Sequence, residues 1–190
     1  MTKNIMIVGV GGQGTLLTSR IIGKAALKAG CDVKISEVHG MAQRGGSVVT
    51  FVRFGDKVNE PVVEEGQADV IIAFEKLEAL RYAHFLKKDG ALVVNDCRID
   101  PMTVVIGAAE YPENIIENLK KDHLVYTIDG QEIALSLGNS KVLNSAVLGY
   151  AADFIGFEKS LWLETMAETV PQKTVEINEK AFMCGYEAQH

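Results

Sequence analysis

The chain has 190 residues, 47% of them hydrophobic and 23% charged, with a formal charge of −6. That is apolar material enough for a core that needs no metal or disulfide staple, and it excludes wholesale disorder. The acidic balance also excludes a nucleic-acid footprint, which takes a surplus of clustered Lys and Arg.

In chain order, Ile5 to Val10 is a short apolar run of the kind that forms a buried parallel strand. Gly11-Gly12-Gln13-Gly14 follows, and then Leu16, Leu17, Ile21, Ile22, Ala25, Ala26 and Ala29 recur at helical spacing up to Gly30, where a C-cap belongs. Val33 to Val38 reads as a second strand, so the first forty residues read as one βαβ unit. The polar stretch from His39 to Gly46 is a loop. Ser47 to Phe54 is a β-branched and aromatic strand with no helix before it, which suits antiparallel pairing. Val70 to Phe74 is a strand, Glu75 to Leu86 a helix, and Ala91 to Asn95 a strand entered through the Asp89-Gly90 turn. Val104 to Ile106 and Leu124 to Ile128 read as shorter strands. From Gln131 onward the pattern is helical, over Asn144 to Phe154, Leu161 to Val170 (stopped by Pro171) and Thr174 to Tyr186. The expected fold is α/β: a doubly wound, Rossmann-like, mostly parallel sheet with helices on both faces and a helical C-terminal portion, residues 1–190 forming one domain.

Gly9, Gly11 and Gly14 have the G-x-G-x-x-G spacing, with Gly12 as a further glycine. After a strand and before a helix, such a turn lets backbone approach a ligand and aims unpaired N–H groups at an anion. It serves a dinucleotide, another phosphate-bearing ligand, or only close helix packing. Glu37 stands near the position of a ribose-binding acid, and His39 lies between it and the second glycine loop. That loop, Gln43-Arg44-Gly45-Gly46, places a guanidinium between small residues. Such a fork suits a carboxylate, a phosphate or a protein interface. The candidate binding residues are therefore Gly9, Gly11, Gly12, Gln13, Gly14, Glu37, His39, Gln43, Arg44, Gly45 and Gly46, with no catalytic and no metal-ligating residue assigned.

Other chemistry is sparse. Cys31, Cys97 and Cys184 lack the short spacing of zinc or iron–sulfur ligands and read as reduced thiols. His84 reads as structural or solvated, and Asp69, Glu75 and Asp96 as strand-end or helix-capping acids. Phe154, Phe157 and Trp162 read as core or subunit interface. The N-terminus has neither the apolar core nor the cleavage site of a secretory leader, so a cytoplasmic protein is expected, without membrane association.

The run Gly9-Val10-Gly11-Gly12-Gln13-Gly14, taken with Gln43-Arg44-Gly45-Gly46, resembles the gamma-type domain of 2-oxoacid:ferredoxin oxidoreductases. The stretch from Glu37 to Gly46 is similar to the indolepyruvate form, and Asn144-Ser145 before Leu148-Gly149 fits the family's later helix. The resemblance implies a small, non-thiamine subunit supporting oxidative decarboxylation of a 2-oxoacid, with arylpyruvates favoured, to an acyl-CoA while electrons pass to ferredoxin. Thiamine diphosphate, magnesium and [4Fe-4S] clusters then belong to a large partner subunit, and coenzyme A is the co-substrate. Consistently, Lys88-Asp89-Gly90 and Ile128-Asp129-Gly130 do not match the thiamine Gly-Asp-Gly motif, and no grouped cysteines exist for a cluster. The chain alone is expected to be inactive, and to be able to pair with itself when isolated. The other readings are an NAD-dependent dehydrogenase and a nucleotide-binding regulatory domain.

Overall fold

The computed structural model describes residues 2–40 and 45–189. One six-stranded sheet runs through it in the order β2-β3-β1-β4-β5-β6, with β1 Lys3–Val10, β2 Asp32–His39, β3 Ser47–Gly55, β4 Ala68–Ala73, β5 Leu86–Asn95 and β6 Leu124–Ile128. The strands β1, β4, β5 and β6 pair in parallel. The expected antiparallel strand is present as β3, which pairs with β1 on one side and β2 on the other. The simple βαβ reading needs correcting there: β2 lies two strands from β1, because β3 is inserted between them.

The apolar run of β1 is buried on both faces, and its alternation splits it between two cores. Ile5 and Ile7 join the helices α1 (Thr15–Lys28), α6 (Leu143–Ile155), α7 (Lys159–Ala167) and α8 (Val175–Glu187) on one side. Met6 and Val8 join α2 (Lys76–Tyr82) and α4 (Ile115–Leu119) on the other. Each such fully buried aliphatic side chain stabilises the fold by roughly 1.5–3 kcal/mol. Trp162 lies wholly within the thicker core, 5.4 Å between ring centroids from Phe157, so that cluster is core. The helices α6 and α8 cross closely: a Cβ on Gly149 would sit 2.0 Å from the Phe182 carbonyl oxygen, and one on Gly185 1.9 Å from that of Ala146.

Two expected elements differ. Val104 to Ile106 is no strand; Met102–Val105 forms the short helix α3, with Pro101 at its N-cap position and none of its residues buried. Three β-branched residues with no neighbouring strand to pair with coil locally instead. The helix expected over Glu75 to Leu86 ends at Tyr82 and gives a single 3-10 turn, Ala83–Phe85. Leu86 already pairs with Ala68 as the start of β5, so Asp89-Gly90 lies inside a strand with a register shift rather than in a turn. The remaining helix, α5 (Gly130–Ser136), is capped by Asp129, whose carboxylate accepts from the Glu132 N–H. No described helix is long and apolar enough to cross a membrane.

Candidate functional site

The glycine turn occupies the carboxyl end of β1, beside the carboxyl end of β4, where an open α/β sheet leaves a crevice. Gln13 closes it from within: its Oε1 accepts from the Val10 N–H at 2.7 Å and its Nε2 donates to the Phe74 carbonyl at 2.9 Å. The Gln13 carboxamide is thus engaged inside the chain. Gly9 lies buried within β1, and a Cβ there would meet that same Gln13 Oε1 at 2.9 Å. Gly14 is the N-cap of α1 at φ 87°, with no side-chain cap. The first return bond of the helix is Thr18 N–H to Gly14 C=O, leaving the preceding N–H groups of the first turn without intrahelical acceptors.

The two glycine stretches, far apart in sequence, are hydrogen-bonded to each other. Gly11 N–H donates to Gly46 C=O at 2.9 Å, and Gly45 N–H to Gly11 C=O at 3.4 Å. Gln43 and Arg44 lie outside the described residues. Directly after the loop, Ser47 donates its hydroxyl to Glu78, and Tyr82 Oη lies 3.3 Å from that same hydroxyl. Burial pushes the Glu78 carboxyl above its ordinary range, and Arg81 at 3.2 Å opposes that.

A cleft opens on each side of the turn. The first, about 420 Å³, is lined by Gly12, Leu16, Glu37, His39 and Val48 among others. Glu37 is exposed and takes a hydrogen bond from Thr50 at 3.2 Å; His39 is exposed beside the Gly40 carbonyl. Both lie on the strand beyond β3. The structure therefore brings Gly11, Gly12, Gly14, Glu37 and His39 around one opening.

The second cleft, about 460 Å³, lies between the same turn and the start of α6, and includes Gln13, Cys97, Gln131, Ser140, Lys141 and Asn144. Asn144 is only 6% exposed, and its Oδ1 has no hydrogen-bond partner. Its Nδ2 is 2.8 Å from where a Gly14 Cβ would be. Reading the sequence for sites missed Asn144 and Lys141. The available signal was a polar Asn-Ser pair opening an otherwise apolar helix.

Beside both clefts, Glu75 is fully buried at the end of β4. It accepts from Glu78 N–H, Ile99 N–H and the Tyr111 hydroxyl, the last at 2.5 Å, so it caps α2 and anchors the segment after β5. Desolvation and that bond push the Tyr111 hydroxyl well above its ordinary pKa. Asp96 pairs with Lys76 at 2.7 Å, while Asp69 lies at the opposite end of β4, bound to Asn4 N–H and Lys87. Cys31, Cys97 and Cys184 are free thiols, and burial raises the pKa of Cys97. Among the described residues no group of three or more His, Cys, Asp or Glu side chains could hold a metal ion.

Residues 4–188 match the model of the pyruvate ferredoxin/flavodoxin oxidoreductase family. The chain belongs to that family. Within it, the chain is 46% identical to indolepyruvate oxidoreductase subunit IorB of Archaeoglobus fulgidus, over 98% of this chain and 94% of that one. It is 42% identical to the IorB subunit of Pyrococcus horikoshii, over 97% and 95%. Among solved structures, the keto/oxoacid ferredoxin oxidoreductase gamma subunit of Geobacter sulfurreducens superposes with a TM-score of 0.73 at 25% identity, over 98% of both chains. A 2-oxoglutarate:ferredoxin oxidoreductase from Magnetococcus marinus shares the fold at a TM-score of 0.75, with this family member spanning 31% of that longer chain.

Proposed function

We propose that this chain is the small, non-thiamine subunit of an indolepyruvate-type 2-oxoacid:ferredoxin oxidoreductase, and that residues 1–190 act as one gamma-type domain of it. The carrying observation is similarity to IorB subunits along nearly the full length of both chains. Chemistry supports a division of labour. A [4Fe-4S] cluster takes four thiolates, whereas this chain has three scattered cysteines. Thiamine diphosphate, magnesium and the clusters are accordingly carried by a large partner subunit, which also passes electrons to ferredoxin in the cytoplasm. Thiamine diphosphate bound there would supply the electron sink for decarboxylation.

This chain's part is on the acyl-acceptor side. The first turn of α1 presents backbone N–H groups without intrahelical acceptors at the carboxyl end of β1, and Arg44 belongs to the second glycine stretch, which is hydrogen-bonded to that turn. Together they bind and orient coenzyme A against the partner's site. The test is co-expression with the large subunit and assay of viologen reduction by indolepyruvate with coenzyme A. Turnover is expected from the complex and from neither chain alone. Full activity of the large subunit alone refutes the assignment. An unchanged coenzyme A affinity in the complex carrying Arg44→Ala removes Arg44 from that role.

A further inference from the structure

Between β5 and α4 the chain leaves the sheet over residues 96–114, and this excursion has two unlike parts. Its neck is pinned. The wholly buried Glu75 carboxylate accepts from the Ile99 N–H at 3.2 Å and from the Tyr111 hydroxyl, so one side chain ties both limbs to the end of β4. Arg98 adds a second tie, its guanidinium 4.3 Å from the Tyr111 ring centroid.

Its tip is bare. Residues 101–109 carry no charged side chain in a chain that is 23% charged, and Asp100 and Glu110 flank them. Met102, Val105 and Ile106 are 69%, 67% and 68% exposed. The tip's N–H groups from Val104 to Ala109 donate to carbonyls of Pro101, Met102, Thr103 and Val104, so it folds on itself and not on the body. A four-residue helix is not stable alone in water, and an apolar knob held out on a fixed neck gains burial only against another molecule. An apolar centre with a charged rim is the anatomy of a protein interface.

The neck also borders the glycine turn: Cys97 and Ile99 line one cleft with Gly12, Gln13 and Gly14. We propose that the uncharged tip is the anchor by which this chain docks on the large subunit, seated in an apolar recess of that partner. The inference rests on the reading above, in which the glycine turn holds coenzyme A against the partner's site. A partner met at the turn is met by the adjoining excursion too. A second copy of this chain on the tip would cover the same end of the sheet and shut the turn off from the partner, so the tip falls to the large subunit.

The experiment measures the affinity of the full chain for the large subunit by surface plasmon resonance. The double variant Met102→Lys/Ile106→Lys should melt within about 2 °C of wild type when isolated, since both side chains are exposed there. Its affinity for the large subunit should fall about a hundredfold or more, as loss of two anchors implies. Leu27→Lys, at the far end of α1 and 60% exposed, should lose less than about twofold. Hydrogen exchange of the 101–109 amides should slow in the complex relative to the isolated chain, a readout that needs no substitution. Wild-type affinity in the double variant, an equal loss in Leu27→Lys, or tip amides that gain no protection overturns the docking surface and leaves the assembly standing. No binding by the wild type overturns the assembly, and the docking surface with it.

Discussion

The two sides of the glycine turn share a wall and differ in everything that faces it. On the β2 side the opening ends in Glu37 and His39, both exposed and carried by a strand. On the α6 side it ends in a buried carboxamide and a lysine at the start of a helix. A carboxylate repels an anion at close range, whereas an ammonium attracts one. One backbone motif therefore borders two different fields, and what stands opposite sets each. The same holds for any G-x-G-x-x-G turn: the glycines permit approach, and the facing element decides what approaches.

The α6 side depends on a helix crossing far from the turn, which gives the largest expected effect. Gly149→Ala drives a methyl into the Phe182 backbone carbonyl, which no side-chain rotation can relieve. Overpacking of this kind costs about 3 kcal/mol or more. For a chain of this size that lowers Tm by roughly 6–12 °C. Displacing α6 carries Asn144 with it, so the α6 side should change while the Glu37 side keeps its geometry. A thermal melt showing a shift under about 2 °C would mean that α6 and α8 sit further apart than described.

Next comes the shared wall. Gly14→Ala meets a backbone at φ 87° and the Asn144 amide 2.8 Å away, whereas Gly12→Ala meets φ 107° with open space around it. Both incur the left-handed penalty of about 1–2 kcal/mol, but only the first also displaces a buried side chain. Gly14→Ala should therefore melt lower than Gly12→Ala, and the gap should close in an Asn144→Ala background. A gap that persists there would place the cost in the turn itself.

The turn and its strand were legible in the sequence because their physics is local: an apolar run, glycines at fixed spacing, then a helical apolar stripe. The antiparallel β3 was legible from the missing helix before Ser47. Its insertion between β1 and β2 was not, since strand order is decided by long-range pairing that no local pattern records. The carboxyl-end location of Glu37 and His39 followed from β2, but the hydrogen bonds joining Gly11 to Gly45 and Gly46 cross more than thirty residues. Asn144 was not read as a site for the same reason. In sequence it belongs to a polar Asn-Ser pair opening an apolar helix, and only folding sets it against Gly14. The short α3 shows the converse, where β-branched propensity pointed to a strand and no neighbour was there to accept it.

A pH effect sharpens the comparison at the base of the second glycine loop. Burial raises the Glu78 carboxyl above its ordinary 4.5, so its folded form favours the proton. The stability this gives is fully present below pH 4.5 and is lost as pH rises through the higher folded pKa. Glu78→Gln can still accept from Ser47 and carries no charge to desolvate. Its stability should therefore be flatter with pH than wild type across that window, and the two should diverge as pH rises. Parallel stability curves from pH 4 to 8 would show that Arg81 fully offsets the burial.

The smallest effect is the one that separates the two sides most directly. Glu37→Gln keeps an acceptor for the Thr50 hydroxyl at an exposed position, so the change in stability should stay within about 0.5 kcal/mol. If the coenzyme A phosphates lie on the α6 side, the sheet edge carrying Glu37 is across the turn from them, and solvent screens what field remains. The affinity of the complex for coenzyme A should then change less than about twofold, well inside the tenfold that a lost contact produces. If the phosphates instead sit between Leu16 and Glu37, removing that carboxylate removes a near repulsion, and affinity should rise several-fold. The sign and size of one substitution on the first side thus report which side of the turn is occupied, without disturbing the residues proposed to hold the ligand.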